Sequence, residues 1–99
     1  MAKGYWIAHV DISDPEGYKA YQAANGPAFA AYGGRFLVRG GTSEQQEGQL
    51  RSRHVVIAFP DYAAALACYH SPAYQAAKAL RDGKGLIDLV VVEGWEPAE

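Results

Sequence analysis

The stretch Gly4-Tyr5-Trp6-Ile7-Ala8-His9-Val10-Asp11-Ile12 limits the fold more than any other part of the chain. Aromatic and β-branched residues dominate it, with no proline and no interior glycine, so it reads as a strand. Trp6, Ala8, Val10 and Ile12 fall on one face, and Tyr5, Ile7, His9 and Asp11 on the other. Both faces carry apolar bulk, which suits a central strand covered on both sides. Helices of the same chain can supply one cover. The other calls for a second copy of the protein.

The remaining elements follow from their punctuation. Ser13 and Glu16 have capping-box spacing, with Pro15 in the first helical turn. Tyr18, Tyr21, Asn25, Ala28 and Tyr32 recur at steps of three and four, which predicts one helical side. Pro27 lacks a backbone donor, so the spacing predicts a kink or a two-piece helix hinged at Asn25-Gly26, ending at Gly33-Gly34. Residues 35–39 read as a second strand, backed by Gly40-Gly41. Residues 42–51 are polar and read as an exposed hairpin end turning near Glu47-Gly48. Residues 54–59 form a third strand, closed by Pro60.

Asp61 is placed to cap a helix with Tyr62, Leu66 and Tyr69 inward. Ser71 and Pro72 start a second piece running to about Arg81, with Ala73, Ala77 and Leu80 as its small face and Tyr74 in line with Lys78 and Arg81. Residues 86–95 give the last strand, and Pro97 to Glu99 a tail. Strand, helix, strand, strand, helix, strand in one domain spanning 1–99 points to an α+β, ferredoxin-like βαββαβ sandwich. Its four-stranded antiparallel sheet is expected in the order 4-1-3-2.

Two helical regions cover one face of such a sheet, and the opposite face remains apolar. An exposed patch of about 400 Å² is near the limit for a monomer. At about 25 cal/mol/Å², leaving it wet forgoes on the order of 10 kcal/mol gross. A two-fold dimer with sheets face to face is the expected assembly.

Composition narrows the partners. Net charge is −2 with 20% charged residues, so no basic stripe favours nucleic acid and no polybasic run favours anionic lipid. No apolar run reaches the ~20 residues of a membrane span. A single cysteine, Cys68, allows no internal disulfide, and the first residues lack the pattern of a signal peptide. A cytoplasmic location is expected.

Several residue types carry candidate chemistry. His9, in a central strand, suits an acid, base or proton shuttle, or equally a hydrogen-bonded histidine at a dimer seam. Arg39, beside Gly40-Gly41, suits a carboxylate or enolate oxygen, or an ion pair. Tyr18, Tyr21, Tyr32, Tyr69 and Tyr74 are candidates for an aromatic cavity between sheet and helices, with Asn25 as one polar contact. Plain core is the competing role for each tyrosine. Tyr21, Asn25, Tyr69 and Tyr74 are taken as the substrate-binding set and His9 and Arg39 as the catalytic pair. His9, His54 and His70 show no metal-type spacing, so neither a metal nor a cofactor is expected. No nucleophile elbow or phosphate loop is present.

The segments 5–16, 32–41 with its Arg-Gly-Gly, 55–60, and Ser71-Pro72-Ala73-Tyr74, taken together with Tyr18 and Tyr21, resemble a bacterial family described as a domain of unknown function, number thirteen-thirty. The resemblance spans nearly the whole chain. It implies membership of the dimeric α+β barrel superfamily, whose relatives include cofactor-free monooxygenases of polyketide quinones, muconolactone isomerase and haem-bound proteins. It implies the fold and the homodimer, and transfers no reaction. Two positions depart from the family pattern: Ala58, where an acidic residue is frequent, and Cys68, where tryptophan is frequent. The expected function is a small-molecule pocket, with cofactor-free oxygenase- or isomerase-like chemistry on an aromatic or lactone. The alternative is non-catalytic small-molecule binding or a stress-related role.

Overall fold

The computed structural model describes residues 2–96. The expected tail at Pro97 to Glu99 lies outside the described residues. The chain runs β1 (Gly4–Ile12), α1 (Pro15–Ala31), β2 (Arg35–Arg39), β3 (Arg53–Phe59), α2 (Tyr62–His70), α3 (Pro72–Ala79) and β4 (Gly85–Glu93). The four strands form one sheet in the order β2-β3-β1-β4, antiparallel throughout. This is a ferredoxin-like α+β sandwich, with the strand order read from the sequence.

Helices lie against one face of the sheet. Trp6, Ala8 and Val10 of β1 are buried under them, together with Ile57 and Phe59 of β3. Trp6 organises the core. Its ring centroid lies 5.0 Å from Phe29, 5.6 Å from Phe59, 5.7 Å from Tyr69 and 4.8 Å from Tyr74. Its indole Nε1 donates to the Ala65 carbonyl at 2.8 Å, which satisfies the one polar atom of a buried tryptophan.

Helix α1 differs from expectation at both of its predicted irregularities. The cap is Asp14, not Ser13: its carboxylate accepts from the Gly17 amide at 3.0 Å. No hinge forms at Asn25-Gly26, and residues 15–31 make one helix through Pro27. Pro27 and Ala23 are both exposed. The carbonyl that proline leaves without its helical donor therefore faces water, which removes much of the penalty. The helix ends as expected, with Gly33 at φ 76° and the Gly34 amide donating to the Phe29 carbonyl at 2.9 Å.

The second helical region also needs correction. Asp61 caps α2 and Ser71 caps α3, as their positions suggest. The inward residues are different. Ala65 and Cys68 are buried on α2, whereas Tyr62 and Leu66 are exposed. On α3, Tyr74 and Ala77 are buried and Ala73 is exposed, as is Leu80 just past the end of the helix. The helices sit so close to the large aromatic rings of the core that small residues face inward on α2. Tyr74 fills the space they leave.

Among the described residues, no helix covers the opposite sheet face. Val38, Leu86, Val90 and Val92 are exposed, with Leu86 at 61% and Val90 at 52%.

Candidate functional site

A narrow cavity of about 40 Å³ lies between α1 and the helix side of the sheet. Trp6, Phe29, Phe36, Ile57 and Leu89 give it apolar walls. Tyr18, Tyr21, Gln22 and Asn25 enter from α1, and Arg39 and Arg53 from the strands.

The two arginines reach it by different routes. In β3, Arg53, Val55 and Ile57 alternate onto the helix side, opposite Val10, Ala8 and Trp6 of β1. Arg53 is thus inward by simple strand periodicity. Arg39 is inward because of an irregularity. Phe36 pairs with Ile57 and Arg39 with Val55, with a register shift between Phe36 and Val38. Without that bulge, residues three apart would face opposite sides. The shift brings both to the cavity, where the Arg39 guanidinium lies 4.6 Å from the centre of the Phe36 ring.

The tyrosines form a second cluster. Tyr21 and Tyr74 hydroxyls are 2.9 Å apart in a buried setting. Arg81 donates from Nη2 to the Tyr74 oxygen at 3.4 Å, and its guanidinium lies 5.0 Å from the centre of the Tyr21 ring. Burial pushes the Tyr18 hydroxyl up to about 12 and raises Tyr74 strongly, so both stay protonated at neutral pH. Tyr69 packs its ring on Trp6 and Tyr74 and borders a separate surface groove with Lys78 and Arg81. Of the four residues taken as a binding set, Tyr21 and Asn25 line the cavity, Tyr74 stands behind Tyr21, and Tyr69 does not reach it.

His9 lies elsewhere. It is on the open face of the sheet, paired with His54 across the strand, with Nδ1 atoms 2.8 Å apart. One ring donates and the other accepts, so this bond needs a hydrogen on one Nδ1 and none on the other. Nearby, Arg51 pairs with Asp11 at 3.2 Å and Asp88 at 3.0 Å. The Ser52 amide and the Arg51 guanidinium hold the Asp11 carboxyl below its ordinary value. His9 and Arg39 therefore occupy opposite faces of one sheet and do not converge within a chain. The period of β1 already separated His9 from Trp6; the bulge that sets the face of Arg39 left no mark in the residue pattern.

Arg53 and Arg81 were not among the candidates. A strand begun one residue earlier would have put Arg53 in step with Val55 and Ile57. Arg81 carried a signal in its seven-residue spacing from Tyr74, which returns to the same side of a helix.

Residues 3–95 match the family described as Domain of unknown function (DUF1330). The chain belongs to that family. No curated protein matches it. Among solved structures, a protein of unknown function from Rhodopseudomonas palustris is similar with a TM-score of 0.69 at 20% identity, over 97% of this chain and 85% of that one. SnoaB, a cofactor-independent oxygenase from Streptomyces nogalater, is similar with a TM-score of 0.65 at 13% identity, over 98% and 97% of the two chains. A hypothetical Arabidopsis thaliana protein gives 0.61 at 13% identity, over 99% and 88%. At such identities the likeness concerns the fold alone. Among the described residues, no helix is long and apolar enough to cross a membrane.

Proposed function

We propose that the cavity under α1 binds a planar, mostly apolar small molecule carrying an anionic oxygen, a carboxylate or an enolate. The observation that supports this is the placement of Arg39 and Arg53 together on an otherwise aromatic and aliphatic lining. Arg39 is exposed and Arg53 half-buried, so the two guanidiniums favour an anion held at the mouth, with a flat hydrocarbon body toward the apolar walls. The fold shared with a cofactor-independent oxygenase supports cofactor-free oxygenase- or isomerase-like chemistry on an enolisable aromatic or lactone.

A second reading, binding without catalysis, is favoured by one feature. Among the described residues lining the cavity there is no carboxylate and no imidazole. The site offers donors and cations but no ordinary general base. A substrate would have to arrive already ionised.

The test uses 1-naphthoate, with naphthalene as the uncharged control, followed by quenching of the intrinsic tryptophan fluorescence. Tighter binding of 1-naphthoate, with the preference lost in an Arg39→Met, Arg53→Met double variant, supports the site. Equal binding of both compounds to both proteins would overturn it. Oxygen uptake with anthrone, an enolisable tricyclic ketone, separates catalysis from binding.

We also propose a homodimer formed through the open sheet face, with the helices outside and the His9–His54 pair near the seam. The exposed Val38, Leu86, Val90 and Val92 support this assembly.

A further inference from the structure

The hydrogen bonds behind Tyr21 have only one workable direction. A guanidinium donates and cannot accept, so the Tyr74 oxygen is the acceptor of the contact from Arg81 Nη2 at 3.4 Å. The two tyrosine hydroxyls, 2.9 Å apart, share one proton position between them. A phenol oxygen can accept twice, but if Tyr21 donated to it the Tyr74 hydrogen would be buried with no acceptor, so Tyr74 donates to Tyr21. The Tyr21 oxygen then accepts, which leaves its own hydrogen free of Tyr74, on a residue that lines the cavity.

Other features of the structure hold this order in place. Tyr74 is fully buried, so no water competes for its hydrogen. The Arg81 guanidinium also lies against the Tyr21 ring, 5.0 Å from its centre, which keeps the cation beside the pair. Arg81 Nε is buried with no acceptor, so the guanidinium is kept inward against both tyrosines despite an unmet donor. Ser71, itself buried, accepts from the Tyr74 amide at 3.1 Å and fixes the first turn of α3, from which Tyr74 projects.

We propose that Arg81 and Tyr74 are positioning residues that commit Tyr21 to donate a hydrogen bond into the cavity, so that the ligand presents a carbonyl or enolate oxygen there. This rests on the ligand site proposed above, and it adds a second recognised oxygen to the anion held by Arg39 and Arg53. The substrate class narrows to flat molecules with a ketone, lactone or quinone-type oxygen at the Tyr21 end. A ligand that offers only a donor at that end meets a donor and is disfavoured.

The experiment compares 1-indanone with indane, which has the same bicyclic body and no carbonyl. Binding is followed by tryptophan fluorescence and the indanone carbonyl by its infrared stretch. The wild-type protein is expected to bind indanone about three- to tenfold more tightly than indane, the range of one net hydrogen bond. The bound carbonyl should absorb at lower frequency than in hexane. Tyr21→Phe should abolish both the preference and the shift. Tyr74→Phe and Arg81→Met leave Tyr21 in place, and each should reduce the shift, which a purely structural role would not do. Arg81 is partly exposed, so its variant serves if Tyr74→Phe fails to fold. Equal binding of indanone and indane, or a carbonyl unaffected by Tyr74→Phe and Arg81→Met, would overturn the donor assignment and leave the cavity standing. Failure of both neutral compounds to bind while 1-naphthoate still binds would overturn the assignment alone, and failure of 1-naphthoate as well would overturn the cavity with it.

Discussion

The Arg53 side chain occupies the space where a β-carbon on Gly40 would sit. Gly40 also has φ 66°, a left-handed conformation that disfavours any side chain, and its amide donates to the His54 carbonyl at 2.9 Å. The glycine after Arg39 thus serves Arg53, the other cation of the cavity. Replacing it strains the backbone and also displaces the guanidinium, the second at little cost in stability because the end of the Arg53 side chain is flexible.

Gly40→Ala is expected to lower stability by about 1–2 kcal/mol, read as a shift in the urea midpoint. It should also weaken 1-naphthoate binding while leaving naphthalene binding unchanged. Gly41→Ala is the control: no atom lies within 4 Å of the position its β-carbon would take. Equal behaviour of the two variants would separate the arginine from the glycine.

The open face makes a contrast between monomer and dimer. Val90, on the edge strand β4, is 52% exposed in the single chain and pairs with Ile7 of β1. On a monomer, Val90→Glu would change stability by no more than about 0.5 kcal/mol. At a sheet-to-sheet interface it buries a charge, and does so twice per dimer because a two-fold interface uses the same patch on both copies. Light scattering should show wild type near twice 10.7 kDa and Val90→Glu near 10.7 kDa. A wild-type protein at the single-chain mass at all concentrations would end the dimer assignment.

Ser71 joins two helices through one hydroxyl. It donates to the Cys68 carbonyl at 2.7 Å and accepts from the Tyr74 amide at 3.1 Å. Ser71→Ala removes the cap and leaves a buried carbonyl less well satisfied. A loss of about 1–2 kcal/mol is expected. For a chain of this size that is a fall in Tm of roughly 4–16 °C. Ser71→Thr keeps the hydroxyl and should lose less.

The parts of the fold that were legible in the sequence share a cause. Strand β1 declared its centrality because both faces were apolar, and the helix stops at Gly33-Gly34 and Ser71-Pro72 use residues with few other conformational options. What was not legible depended on partners remote in sequence. The turn of Arg39 toward the cavity comes from a bulge set by its pairing with β3. The continuity of α1 through Pro27 depends on which side of that helix faces water. The inward side of α2 depends on how closely it approaches Trp6, whose indole bonds to the Ala65 carbonyl. In the candidate site, Tyr21 and Asn25 followed from helical period alone, whereas Arg53 and Arg81 needed the sheet and the packed helices to acquire a meaning.

Alkaline pH should expose the cost of the buried acids. Cys68 packs its Sγ 3.6 Å from the Ala28 carbonyl, and burial pushes its thiol from 9.0 up to about 11. Tyr18 is raised from 10.0 to about 12 for the same reason. In the unfolded chain both groups lose their protons first. Above pH 9 the unfolded state therefore binds fewer protons than the folded state, and stability falls as pH rises. The contribution is intact below pH 9 and is lost progressively up to the folded values, on the order of 2 kcal/mol per group. Urea midpoints should be level from pH 7 to 8.5 and decline steeply from pH 9.5 to 11. Cys68→Ala should start from a lower midpoint, because a packed side chain is shortened, yet lose less over the same alkaline range. The native thiol should resist iodoacetamide at pH 8 and react once urea unfolds the chain. A midpoint that stays level through pH 11 in the wild-type protein would show that neither group is held in its protonated form by the fold.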